Sequence, residues 1–305
     1  MTYISITITS IRLILITTIA SLITSSFAFA ESPRPPSLST VKRFAYQLQN
    51  LKVKQVVASD AQMIILDPIA ADDRLTIDEV RNMQKMPDGS KRIVLAYLSI
   101  GEAEDYRDYW KKEWKQEPPS FLEKENPNWP GNFPVRYWET AWQDLILGSP
   151  DASLDRILAE GYDGIYLDIV DGFEYWETRE VPDARQKMIA WVTRIATYAR
   201  EKKPGFFVVP QNGSQLGENA DYLKVIDAIG REDLFFDGDD RQPVEETTSG
   251  QADLARFIAV GKPVFLTEYC TTNAKKVEAT KRAREAGYVP LFAPRELDAL
   301  TVSPR

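Results

Sequence analysis

The chain has 305 residues and a net charge of −8, from 37 Lys and Arg against 45 Asp and Glu. That balance makes nucleic acid and anionic membrane poor partners and favours neutral or cationic ligands. It contains no histidine and one cysteine, which excludes Ser-His-Asp and Cys-His catalysis, imidazole-ligated metals and any intrachain disulfide. Acid–base work therefore falls to Asp, Glu, Lys, Tyr or Cys.

Taken in order, the chain opens on an apolar run, Leu13–Ile23, followed by Ala28-Phe29-Ala30. The run is too short for a membrane span and the triplet has the small-x-small form of a cleavage site. Residues 1–30 read as a secretory signal, so the mature chain is expected to be secreted or periplasmic and free of membrane. Residues 31–40, rich in Pro and Ser, read as a linker. Residues 41–305 form one expected domain, read as a monomer. Strands are predicted at 44–48, 63–66, 93–100, 164–167, 206–209, 225–229, 264–267 and 288–292. Helices are predicted at 78–86, 153–160, 184–202, 214–223, 251–260 and 274–286. Strand–helix alternation implies a parallel sheet, and eight such units are the size of an α/β (β/α)8 TIM barrel. An open doubly wound sheet is the weaker choice, because no glycine-rich phosphate loop follows any strand.

A barrel of this kind gathers its strand C-termini on one face. The residues after the predicted strands are Gln47; Asp67; Ser99, Gly101 and Glu102; Asp168 and Asp171; Gln211 and Asn212; Arg231, Glu232 and Asp233; Glu268 and Tyr269; and Arg295 and Glu296. Most strand ends thus carry a carboxylate or an amide, the lining of a polar cleft. The long loop 103–143 holds Trp110, Trp114, Trp129, Trp138 and Trp142, and Trp176 follows the fourth strand. Flat aromatics beside carboxylates suit a sugar, which stacks its C–H face and hydrogen-bonds its hydroxyls. Each tryptophan taken singly is more readily a packing residue. Glycoside cleavage needs two carboxyls, about 5 Å apart in retaining enzymes, one of them kept protonated by burial. Asp168 with Glu232 is one candidate pair, and Asp168 with Glu268 the other.

The segments YLSIGEAEDYRDYW (97–110), GYDGIYLDIVD (161–171), PQNG (210–213), REDLFF (231–236) and LTEY (266–269) resemble glycoside hydrolase family 114, which includes endo-α-1,4-polygalactosaminidases. The resemblance covers nearly all of the chain after the linker, although Lys111–Pro134 departs from the family pattern. It implies a (β/α)8 barrel without cofactor or metal that hydrolyses α-1,4-linked galactosamine-containing exopolysaccharide with retention. It puts the nucleophile at Asp168 and the acid/base at Glu232. Asp67, Tyr97, Asp171, Gln211, Asn212 and Glu268 would line the sugar subsites, with Trp176 as a stacking platform. Two readings from other classes stand beside it. One is a catalytically silent carbohydrate-binding barrel. The other is a Mg²⁺-dependent phosphodiesterase built on Asp67, Asp168 and Asp171.

Overall fold

The computed structural model describes Ser37–Arg305, apart from Asp72. The expected signal over 1–30 and most of the expected linker lie outside the described residues. No helix among those described is long and apolar enough to cross a membrane.

Eight parallel strands run in chain order: β1 (Phe44–Gln47), β2 (Met63–Leu66), β3 (Ile93–Ser99), β4 (Gly164–Asp168), β5 (Phe207–Pro210), β6 (Ile229–Glu232), β7 (Val264–Glu268) and β8 (Val289–Phe292). Most are short, almost wholly buried apolar runs, as expected for strands covered on both faces, whereas β6, Ile229-Gly230-Arg231-Glu232, is buried only in its first half. The α/β class and the strand–helix alternation are as expected. The single closed ladder of an ideal barrel is not what forms. The ladders run in two groups, β1-β2-β3-β4-β5 and β6-β7-β8. Sparse bonds join β5 to β6, namely a bridge between Gln211 and Gly230 and the Asn212 N–H on Gly230 O at 2.9 Å. The edge of β1 is met by the C-terminal segment, with Val302 bridging Ala45 and the Ser303 N–H on Phe44 O at 2.9 Å.

Alternation along the strands sends every second side chain to a common interior. One buried cluster joins Phe44 and Tyr46 of β1, Met63 and Ile65 of β2, Tyr97 of β3, Tyr166 of β4, Val209 of β5, Phe265 of β7 and Leu291 of β8. The Phe44 and Phe265 rings meet edge to face at 5.3 Å, and Tyr46 and Tyr166 at 5.2 Å, so distant strands face each other across this interior. Leu38, within the expected linker, packs into the same cluster, and so does Val41. Gly230 is required here, because a Cβ would lie 1.8 Å from the Tyr166 hydroxyl.

The opposite faces pack under helices. Thr76 and Glu79 form a capping box that starts Ile77–Met83. The long helix Ala184–Lys202 and the helix Ser153–Glu160 occupy their expected spans. The sixth strand does not, because 220–225 is a helix. Asn219 caps it by accepting the Asp221 and Tyr222 amides, so the strand is delayed to Ile229–Glu232 and Glu232 ends the strand itself.

Arg92 is 1 % exposed and closes the far end of the strands. Its guanidinium donates to the carbonyls of Ala61 (2.7 Å), Met83 (2.6 Å) and Ser59 (2.7 Å). Arg92→Met strands those carbonyls without donors. Urea unfolding should show a loss of about 3 kcal/mol or more, with the apolar volume largely kept.

Candidate active site

The last inward-facing residues of the strands line one cavity of about 820 Å³. It takes in Asp67 after β2, Tyr97 and Ser99 on β3, Asp168 at the end of β4, Gln211 after β5, Glu232 at the end of β6 and Tyr269 after β7. Asp171 and Asn212 line it from the loops. Asp168 and Glu232, 64 positions apart in the chain, thus share one cavity.

Their surroundings differ. The Tyr97 hydroxyl donates to Asp168 Oδ2 at 2.6 Å and the Ile169 amide donates to Oδ1 at 2.8 Å. Both bonds favour the ionised carboxylate, although burial still raises its pKa. Glu232 is pushed up to about 8, first by burial and then by the charge on Asp168. Its Oε1 accepts from the Tyr269 hydroxyl, and its Oε2 from Gln211 Nε2 and, at 3.5 Å, Asn212 Nδ2. The hydrogen bonds at Asp168 thus favour its anion, while burial and the neighbouring charge favour the neutral form of Glu232.

The backbone contributes too. Ile169, Asn212 and Asp233, each directly after a cavity residue, all take positive φ, at 55°, 56° and 50°. For a β-branched residue such as Ile169 this is strained, and such strain clusters at functional sites. The turn packs so tightly that a Cβ on Gly101 would lie 2.2 Å from the Ile169 carbonyl.

A second charged group braces Tyr97. Arg107 pairs with Asp67 at 2.7 Å and with Glu104 at 2.5 Å. The Glu104 carboxylate accepts from the Tyr106 hydroxyl at 2.5 Å and lies 3.4 Å from the Tyr97 hydroxyl. With Asp67 committed to a guanidinium, Asp67, Asp168 and Asp171 are a poor oxygen cage for Mg²⁺. No group of three or more such side chains that could hold a metal ion occurs among the described residues.

Two expected site residues lie elsewhere. Glu268 is fully buried, on the face of β7 opposite the cavity, where it accepts the Phe235 and Phe236 amides at 2.9 and 3.2 Å. Phe265 fixes the parity of that strand, so Tyr269 is the residue that faces in, and the Asp168–Glu268 pair does not form. Trp176 is 3 % exposed, gives its indole N–H to Val135 O at 3.1 Å and meets Trp138 edge to face at 5.0 Å. Most of the loop tryptophans also pack: Trp114 and Trp142 are buried, and Trp142 donates to Ile100 O together with Trp191 of the helix Ala184–Lys202. The exposed exception is Trp129, 51 % exposed, which with Tyr106 stands at the cavity edge. Sequence reasoning weighed Trp129 only as one of several. Glu102, pushed up to about 7 by burial, also lines the cavity.

Four buried carboxyls are raised this way: Glu102 and Asp171 to about 7, Glu232 and Glu268 to about 8, each chiefly by burial. Between the unfolded values near 4 and these folded ones, the native state binds more protons than the unfolded state. These four groups therefore contribute stability that is fully present below about pH 4 and is lost as pH rises through about 7 to 8. Melting temperatures measured from pH 6 to 9 should fall, and Glu268→Gln should flatten the decline.

The sequence over residues 24–305 matches the model of glycoside-hydrolase family GH114. A protein of Deinococcus radiodurans is 37 % identical over 275 residues, covering 88 % of this chain and 86 % of that one. One of Methanocaldococcus jannaschii is 34 % identical, covering 84 % and 77 %. Among solved structures, Aspergillus fumigatus Ega3 in complex with galactosamine is similar at TM-score 0.64 and 19 % identity, over 88 % of this chain and 96 % of that one. The glycoside hydrolase domain of PelA from Pseudomonas aeruginosa is similar at TM-score 0.65 and 19 % identity, over 85 % and 97 %.

Proposed function

Because the chain belongs to glycoside-hydrolase family GH114 and is a glycoside hydrolase, we propose that it cleaves α-1,4-linked galactosamine-containing polysaccharide with retention, after export from the cell. The observation that carries this reading is the shared cavity of Asp168 and Glu232, with opposite demands on their protons. Asp168, ionised and oriented by Tyr97, attacks the anomeric carbon while the protonated Glu232 provides the proton for the departing oxygen. Water, deprotonated through Glu232, then releases the glycosyl ester. Asp67, Asp171, Gln211 and Asn212 present acceptors and donors to sugar hydroxyls and to an amino substituent. Galactosamine bound to Ega3 supports an amino-sugar, and an acidic chain suits a cationic glycan.

Asp168→Asn and Glu232→Gln should each lower kcat on the polymer by about 1,000-fold or more, with folding intact. Product mass spectrometry reads the cleavage, and NMR of the first-formed anomer reads retention. Full turnover in either variant, or an inverted anomer, removes the mechanism.

Trp129 and Tyr106 supply the stacking surface that Trp176 cannot. A sugar several units from the cut would rest on Trp129, so its loss matters only for long chains. For Trp129→Ala, KM on polymer should rise about tenfold, the worth of one lost stacking contact, while a trimer or shorter oligomer is turned over as before. A uniform loss across chain lengths would exclude the platform.

A further inference from the structure

The two oxygens of Glu232 are not equivalent. Oε2 faces amide donors. Asn212 is oriented by the backbone: its Oδ1 accepts the Glu232 N–H at 3.1 Å, which turns its Nδ2 toward Oε2. Gln211 is oriented by Tyr46, whose buried hydroxyl donates to Gln211 Oε1 at 3.1 Å, leaving Nε2 to donate to the same Oε2. A proton on Oε2 would point at N–H groups, so the acid form carries its proton on Oε1. Oε1 accepts from the Tyr269 hydroxyl when Glu232 is ionised, and with the proton on Oε1 the same contact runs in the opposite sense. The acid proton is thus directed at Tyr269 and not at open cavity. A hydroxyl can accept one proton while giving up its own, and Tyr269 lines the cavity where the glycosidic oxygen would sit.

Resting on the assignment of Glu232 as the acid, we propose that Tyr269 is a further catalytic residue, a relay that carries the proton between Glu232 and the glycosidic oxygen. In the first half-reaction the Glu232 Oε1–H proton moves to Tyr269 Oη as the Tyr269 proton moves to the departing oxygen. The C1–O bond breaks, the Asp168–C1 bond forms, and Glu232 is left as a carboxylate. In the second half-reaction water attacks C1, its proton passes to Tyr269 Oη, the tyrosine proton returns to Glu232, and the Asp168 ester bond breaks. No oxidant, metal or cofactor is needed. The residue is built for holding still. Its ring lies against the Arg295 guanidinium at 4.4 Å, and Arg295 is itself pinned by Asp233 at 2.9 and 3.1 Å. Burial first, and the Glu232 charge once its proton has left, hold the phenol well above its ordinary range. Tyr269 therefore passes protons in concert and does not rest as a phenolate.

The test compares an α-1,4-galactosamine oligosaccharide with an aryl glycoside of the same oligosaccharide whose leaving group needs no proton. For the unmodified protein, kcat/KM on the oligosaccharide in H2O/D2O mixtures should curve downward, as two protons in flight require. A straight line overturns the relay without any substitution. In kcat/KM, which reports the first half-reaction, Tyr269→Phe should lose about 100- to 1,000-fold on the oligosaccharide and no more than about tenfold on the aryl glycoside. Equal losses on both substrates overturn the relay and leave Tyr269 a positioning residue. Glu232→Gln separates the two levels. If it spares both substrates, the acid assignment itself fails. If it shows the leaving-group split while Tyr269→Phe turns over both at full rate, only the relay fails.

Discussion

Period-two alternation along short buried strands governs everything at the site. Each strand offers its side chains in turn to the interior and to the helices. Where the apolar residues stop, the next inward position falls on the cavity. Tyr46 is followed by Leu48 on β1, Ile65 by Asp67 on β2, Tyr166 by Asp168 on β4, Val209 by Gln211 on β5, and Phe265 and Thr267 by Tyr269 on β7. The same rule removes Glu268, one residue from Tyr269, to a place where it ties down backbone amides. A shift of one residue in any strand would exchange a cavity group for a packing group.

Low dielectric surroundings then set the chemistry. The aromatic shell of Trp114, Phe121, Phe133 and Trp142 holds the long loop against the strands. The start of the loop in turn brings Glu102 and Glu104 to the cavity wall, with Arg107 paired to Glu104 behind it. Burial that would otherwise penalise folding keeps Glu232 protonated. Two hydrogen bonds do the opposite for Asp168. The destabilisation stored in these groups is offset elsewhere, by the strand interior and by clamps such as Arg92.

Much of this was legible in the sequence. Seven of the eight strands stood out as apolar runs closed by Gly, Pro or acidic residues. Asp67, Asp168, Gln211, Asn212 and Glu232 could be placed at one end of the fold. What could not be read depended on parity and on tertiary competition. Glu268 and Tyr269 are adjacent, and only the register of β7 says which one faces in. Ile229–Glu232 was hidden because Val225–Ile229 is just as apolar and only the Asn219 cap shows where the helix begins. Trp176 and Trp129 look alike on paper; the indole N–H of one found the Val135 carbonyl and the other found none to bury it. The hydrogen-bond directions around Glu232 have no sequence signal at all.

The division of the ladders has a mechanical consequence. The nucleophile candidate rides on the five-stranded group and the acid candidate on the three-stranded one, and the border between them passes between Gln211 and Glu232. Most pairs of cavity residues are locked to each other by ladder bonds and cannot change spacing without rupturing them. Asp168 and Glu232 are different: no continuous ladder joins their strands, and the border between them is crossed by the Gln211–Gly230 bridge and the side-chain bonds of Gln211 and Asn212 to Glu232. The two carboxyls thus meet across one of the seams at which the strand ladders are interrupted.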